Sequence, residues 1–256
     1  MDNYLVDTHT HINYIEEKSP EEIVQNACKN GVKKLVVPAA CAKDFDEVIK
    51  LCNNFENVYG YLGIHPEELN DWSDEIYEKI KNIVKENKKI VGIGEIGLDY
   101  YWNKSNIEKQ KEIFIKQIKL ANDLNLPINV HSREAFQDSL QILKENNKCS
   151  NVIMHCFSGS VEFAKECIKE GMYIALGGVV TFKNAIKAKE VAKIVPIDRL
   201  LLETDSPYMA PTPFRGKINQ PAYLKFVAEE IAKLKQIPFD EVVENTTNNA
   251  KRILRI

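Results

Sequence analysis

The sequence predicts an α/β fold of the TIM-type (β/α)8 barrel class. Three observations carry this reading. Short β-branched or apolar runs recur eight times, each is followed by a longer segment of helical period, and the 256 residues suit one large barrel domain. Alternation of this kind is the pattern of parallel strands joined by crossover helices, and eight such strands are the number that closes a barrel.

The runs are Tyr4 to Asp7, Lys34 to Val37, Val58 to Gly63, Ile90 to Ile96, Pro127 to His131, Asn151 to His155, Tyr173 to Leu176 and Leu200 to Glu203. After the first, Ser19-Pro20-Glu21-Glu22 offers an N-cap, a proline at the first helical position and early acids, while Asn30-Gly31 supplies a stop. Asp44, Ser73 and Ser160 are the expected caps of later helices. Ile113, Phe114, Gln117, Ile118, Ala121 and Leu124 recur at helical spacing, so Asn106 to Leu124 is expected to pack that stripe against the barrel. Beyond the eighth run comes a proline-dense stretch, Ser206 to Pro221, and then helices from about Ala222 to Lys235 and from about Asp240 to Arg255. No internal repeat, linker or low-complexity tract divides the chain, which implies one domain over residues 1–256.

Composition narrows the function classes. Hydrophobic residues at 44% and charged residues at 28% are ordinary for a soluble globular chain. A domain of this size buries roughly three quarters of its unfolded surface, so its core needs no staples. No apolar run approaches the roughly 18 residues of a membrane span. Met1 to Asp7 already reads as a strand rather than a secretion signal, which implies a cytoplasmic location. Cys28, Cys41, Cys52, Cys149, Cys156 and Cys167 form no Cys-x-x-Cys pair, so buried free thiols are expected instead of a zinc ribbon or redox motif. A net charge of -3 argues against passive nucleic-acid binding by a broad basic surface, so any such substrate must be held locally.

All five histidines fall at or just beyond the end of an expected strand. In barrels of this class the catalytic groups sit at the C-terminal strand ends, where the loops converge on one mouth. In Asp7-Thr8-His9-Thr10-His11 the two imidazoles, at i and i+2, project to one side of extended chain and can share an ion. Gly92-Ile93-Gly94-Glu95-Ile96-Gly97-Leu98-Asp99 ends the fourth strand, where glycines permit close backbone approach and Glu95 offers two oxygens able to bridge two cations. It lacks the Gly-x-Gly-x-x-Gly of a dinucleotide loop. Asp99 reads as a loop cap or as a support for a ligand. His131 and His155, ending the fifth and sixth strands, suit a second ion; Cys156, next in the chain, is expected to face the other way. Leu200 to Pro207 delivers Glu203 and Asp205. Asp205 is placed to ligate the first ion and to take a proton from bound water, and Glu203 reads as a ligand support or an ion-pair partner in the barrel wall. Two cations about 4 Å apart bring water's acidity towards neutrality and clamp reacting oxygens.

Together these segments resemble the TatD family of metal-dependent deoxyribonucleases, a branch of the amidohydrolase-like barrels. The resemblance runs through Asp7-Thr8-His9-Thr10-His11, Gly63-Ile64-His65-Pro66, Gly94-Glu95-Ile96-Gly97-Leu98-Asp99-Tyr100, His131-Ser132-Arg133, His155-Cys156-Phe157-Ser158-Gly159 and Glu203-Thr204-Asp205-Ser206-Pro207-Tyr208. It implies His9, His11, Glu95, His131, His155 and Asp205 as metal ligands, with Glu95 bridging and His65 either near the substrate or supporting a ligand. Glu95 and Asp205 are the expected catalytic carboxylates. Arg133, and Arg215 in the loop from Pro211 to Pro221, are expected to grip phosphate through planar paired donors; the alternatives are the first turn of a helix for Arg133 and a loop salt bridge for Arg215. Tyr100, Tyr101 and Trp102 follow the fourth strand and either stack on bases or pack over the rim.

The resemblance implies a nuclease that hydrolyses DNA from a single-stranded or frayed end using two divalent ions. The alternative is hydrolysis of a carbonyl-centred ester or amide bond in a small molecule or an aminoacyl-tRNA. The family is described as magnesium-dependent, whereas four imidazoles favour zinc, manganese, iron or nickel. No membrane partner is expected, and the oligomeric state is left open.

Overall fold

In the computed structural model, which describes residues 3–148 and 151–256, strands and helices alternate as the sequence predicts. The chain begins β1 (Leu5–Asp7), α1 (Pro20–Lys29), β2 (Val32–Pro38), α2 (Phe45–Asn54), β3 (Val58–Leu62), α3 (Asp74–Glu86), β4 (Ile90–Asp99) and α4 (Ile107–Leu124). It continues with β5 (Ile128–Arg133), α5 (Phe136–Asn146), β6 (Val152–Met154), α6 (Val161–Lys169), β7 (Tyr173–Leu176), α7 (Ile186–Ile194), β8 (Leu200–Leu202), α8 (Leu224–Lys235) and α9 (Phe239–Leu254). The strand order is β1 through β8 in one sheet, the order of a (β/α)8 fold.

The chain forms two compact units. The first comprises Met1–Val37, Cys156–Lys169 and Tyr173–Ile256. Here α1 starts with a complete capping box: Ser19 Oγ accepts from Glu22 N at 3.2 Å and Glu22 Oε2 accepts from Ser19 N at 3.0 Å. It stops at Asn30, with Gly31 at φ 83°. Ser160 caps α6 by accepting from Phe163 N at 3.2 Å. β1 pairs in parallel with β2, and β7 with β8. α9 packs on β1 and β8, where its buried Asn249 donates to Ile197 O and Leu200 O, each at 2.8 Å. That contact fixes the chain as it enters β8.

The second unit comprises Pro38–His155 with Glu170–Met172. α4 lies along β4 and buries Ile113, Phe114, Ile118 and Ala121, as its periodicity requires, whereas Leu124 at its end is only half-buried. Ser73 caps α3 through Ile76 N at 3.3 Å. Asp44 departs from expectation: its Oδ2 accepts from Ala40 N and Cys41 N, capping the turn before α2 rather than the helix itself.

The strand ends also differ from the sequence reading. β4 and β5 run on to Asp99 and Arg133 because they pair through Gly97 with His131, Leu98 with Ser132 and Asp99 with Arg133. A Cβ on Gly97, whose φ is 148°, would lie 1.9 Å from His131 O, so only glycine permits this approach. β6 and β8, by contrast, stop at Met154 and Leu202, leaving His155 and Asp205 on the loops beyond. Of the free thiols, Cys52 and Cys167 are buried while Cys28, Cys41 and Cys156 are half-buried; Cys149 lies outside the described residues. Among the described residues, no helix is long and apolar enough to cross a membrane.

Candidate functional site

Two clusters of metal-type ligands form, one in each unit. In the first unit the chain leaving β1 stays extended and fully buried from Asp7 to Thr10. Its backbone is sewn on both sides: Thr8 N donates to Leu202 O, Thr10 N to Val36 O, His11 N to Ser206 O, and Asp205 N to His9 O, at 2.8–3.1 Å. Extended chain sends alternate side chains to opposite sides, so Thr8 and Thr10 bond to Leu202 O and Ser206 Oγ while His9 and His11 turn together the other way. Their Nε2 atoms are 3.1 Å apart, and each lies 3.8 Å from Asp205 Oδ1.

These separations can be compared with what an ion requires. Two nitrogens bound at 2.0–2.1 Å to one ion, at angles between octahedral and tetrahedral, lie about 2.8–3.4 Å apart. The 3.1 Å between the two Nε2 atoms is that edge, with the carboxylate poised as a third donor. Tyr14 stacks on His11 with ring centroids at 5.1 Å and holds that imidazole's plane.

Asp205 itself sits at φ 52°, a left-handed conformation unusual for a residue with a side chain. Its neighbour Thr204 is held by Asp7, whose Oδ1 accepts from Thr204 N at 2.9 Å and whose Oδ2 accepts from Thr204 Oγ1 at 2.6 Å. Burial pushes the Asp7 carboxyl up to about 8, against the Thr204 hydrogen bonds that pull it down. Asn219 holds the same loop by donating to Thr204 O and Tyr208 O, each at 2.7 Å.

In the second unit Glu95 is the centre. The β4–β5 register slips between Ile93 and Ile96, so the irregularity falls on Glu95, as bulges beside functional sites re-aim a side chain. Glu95 Oε1 lies 2.9 Å from His131 Nδ1 and 3.5 Å from the Nε2 atoms of His65 and His155. His131 Nε2 pairs with Asp99 Oδ2 at 3.0 Å, leaving this imidazole between two carboxylates. Burial alone would lower its pKa, but hydrogen bonds with Asp99 and Glu95 outweigh that and hold it up at about 9. For Asp99, burial raises the pKa and the bond to His131 overrides it, with a net shift downward. Burial pushes His155 to about 4, so that ring is neutral and one of its nitrogens offers a lone pair to a cation.

His65 reads differently from the other imidazoles. Glu67 N donates to its Nδ1 at 3.3 Å, so the neutral ring carries its proton on the Nε2 that faces Glu95. That tautomer suits a donor better than a ligand.

Of the six expected ligands, His9, His11 and Asp205 group together in the first unit, whereas in the second Glu95 and His131 group with His65, and His155 reaches the same Glu95 oxygen at 3.5 Å. The expectation that strand alternation turns Cys156 away from His155 fails, because β6 has ended at Met154 and Cys156 adopts φ 43°. Its N–H donates to Glu203 Oε1 at 2.6 Å, so Glu203 braces the loop after β6. Arg133 ends β5 rather than opening a helix, and its guanidinium lies over Tyr101 at 4.2 Å and Trp102 at 5.4 Å. Arg215 lies over Phe182 at 3.6 Å. Tyr100 is committed to α5 through a 2.7 Å bond from its hydroxyl to Asp138.

Asp7, Thr204, Asn219 and two glutamines of α4 carry roles that motif reading missed. Gln110 Oε1 accepts from Asp99 N at 2.8 Å while its Nε2 donates to Asp99 O at 2.9 Å. Gln117 grips Ile64, the residue before His65, in the same two-point way. The available signal was a pair of amides spaced seven residues apart on an otherwise apolar face.

Known proteins resemble this chain along nearly its whole length. The family model described as TatD related DNase matches residues 6–255. The Bacillus subtilis protein YabD, named an uncharacterized metal-dependent hydrolase, is 45% identical over 98% of this chain and 99% of its own. Escherichia coli YcfH, named likewise, is 38% identical over 99% of this chain and 96% of its own. The crystal structure of the TatD homologue YjjV from Escherichia coli superposes with a TM-score of 0.94 at 32% identity, covering 100% of both chains.

Proposed function

Because the chain belongs to the TatD related DNase family and is a metal-dependent hydrolase, we propose that it hydrolyses phosphodiester bonds of DNA, working from a single-stranded or frayed end. The observation that carries this reading is the convergence of His9, His11 and Asp205, whose donor atoms lie within 4.8 Å of one another.

In this reading His9, His11 and Asp205 hold one divalent ion, and Glu95, His131 and His155 hold another. Bound divalent ions supply Lewis acidity, which brings water's ionisation towards neutral pH and polarises the phosphoryl group. Asp205 accepts a proton from the attacking water as the water oxygen bonds to phosphorus; the phosphorus–oxygen bond to the leaving group breaks, and that oxygen takes up a proton from Asp205 or solvent. His65 donates towards Glu95 and keeps that carboxylate aimed. The nitrogen-rich donor sets favour zinc, manganese, iron or nickel over magnesium, the ion implied by the family resemblance.

Phosphate as the group attacked is supported by the arginines. Among the described residues neither Arg133 nor Arg215 has a carboxylate within ion-pair distance; each guanidinium rests on an aromatic ring with its donors uncommitted. A planar fork of that kind matches two phosphate oxygens.

The test is chelation, reloading with manganese, zinc, nickel or magnesium in turn, and incubation with end-labelled single-stranded DNA. Metal-restored release of nucleotides is expected, slowed in Arg133→Ala and Arg215→Ala. Absence of release with all four ions, alongside turnover of a carboxylic ester or amide that both arginine variants leave unchanged, overturns the phosphodiester reading.

A further inference from the structure

We propose that Tyr101, Trp102 and Arg133 form a stacking platform for an unpaired nucleobase at the rim of the site, and that single-stranded nucleic acid is its ligand. The inference rests on the phosphodiesterase reading and adds to it the residues that would hold the unpaired base.

Tyr101 and Trp102 are among the large apolar side chains left exposed, at 45% and 65%. Adjacent exposed rings form a contiguous apolar patch, the kind of surface that marks a binding site more often than a single exposed side chain does. Here the backbone beneath them is fixed: Asp99 Oδ1 accepts from Tyr101 N at 2.8 Å and from Trp102 N at 2.9 Å. The rings meet edge to face at 4.7 Å. A stiff loop presenting open aromatic surface loses little freedom when a flat ligand docks.

The other oxygen of the same carboxylate holds His131 Nε2 at 3.0 Å. One side chain therefore ties the backbone of the aromatic pair to an imidazole of the cluster around Glu95. Arg133 supplies the charge. Its guanidinium lies 4.2 Å from the Tyr101 centroid and 5.4 Å from that of Trp102, and among the described residues its side chain makes no ion pair or hydrogen bond. An aromatic face beside an uncommitted guanidinium matches the two halves of a nucleotide.

Pairing state follows from the same geometry. A base within a duplex has both faces covered by its neighbours, so a stacking platform reaches only unpaired or frayed positions. Every base has a π face, so the platform discriminates strandedness rather than sequence.

The experiment measures equilibrium binding by fluorescence anisotropy in the Asp205→Asn background, which keeps the strand intact, with zinc or manganese bound. The probes are a dye-labelled oligothymidylate and an abasic strand of equal length and charge. Trp102→Ala is expected to weaken oligothymidylate binding about 5- to 150-fold, to the level at which the abasic strand binds the parent, while Trp102→Phe restores affinity. Equal affinity of parent and Trp102→Ala, equal affinity for the two strands, or tighter binding of a blunt duplex overturns the platform. Binding is read without turnover, so failure of the hydrolytic reading leaves this outcome interpretable, and hydrolysis by a protein indifferent to Trp102→Ala sinks the platform alone.

Discussion

Gln117 satisfies both backbone groups of Ile64 at once: its Oε1 accepts from Ile64 N at 2.8 Å and its Nε2 donates to Ile64 O at 3.0 Å. The amide replaces a strand partner just where β3 has ended, and His65 is the next residue. Gln117→Met keeps the volume and leaves two buried groups without partners, each costing about 1–3 kcal/mol. A lower denaturation midpoint is expected, with faster hydrogen exchange at Ile64. An unchanged midpoint would mean that water replaces the amide.

Asp205 is expected to act on the reacting water and not on the fold. Asp205→Asn keeps the shape but removes the proton acceptor, so turnover should fall by about a hundredfold to ten-thousandfold. The melting curve should move little by comparison. Equal turnover in the two proteins removes Asp205 from the chemistry.

The imidazoles of the second cluster set a pH dependence in chelator-treated protein. His131 is raised to about 9 from 6.5, so its contribution to stability is complete below pH 6.5 and is lost as pH rises through about 9. His155 is lowered to about 4, so the unfolded chain binds the proton first, and stability is lost as pH falls from 6.5 towards 4. Stability should therefore peak between these losses, near pH 6.5. At pH 7.5 metal uptake must displace the His131 proton, which calorimetry in buffers of different ionisation enthalpy reads directly. No buffer dependence would contradict a protonated His131.

Gly97→Ala tests the backbone beneath His131. The added methyl meets His131 O and must push the two strands apart, at a cost of about 1–3 kcal/mol for overpacking. Weaker metal uptake at this cluster should accompany the loss, and uptake equal to wild type would show that His131 is positioned by other contacts.

Much of this arrangement was legible in the sequence. Strands such as Leu200 to Leu202 and Tyr173 to Leu176 declare themselves because buried parallel strands are apolar on both faces. The candidate ligands stand out because histidine is rare in this chain and each one falls at or just beyond an expected strand end. What stayed hidden depends on contacts between distant segments. Nothing near Asp7 foretells that its carboxyl holds Thr204, and Gln110 and Gln117 look like ordinary helix formers until Asp99 and Ile64 are brought beside them. Asp44 was misread because an acid before a helix caps the helix or the preceding turn equally well, and only the loop's path decides. Cys156 was misread because strand alternation was carried one residue too far, past the end of β6.

The bond between Asp7 and Thr204 joins positions 197 residues apart. His9 and His11 follow the first strand and Asp205 follows the eighth, so a growing chain holds the imidazole pair long before the carboxylate that joins it. A product cut short before Asp205 lacks the third donor, and the three-donor cluster cannot assemble until β8 has been made and docked against β1.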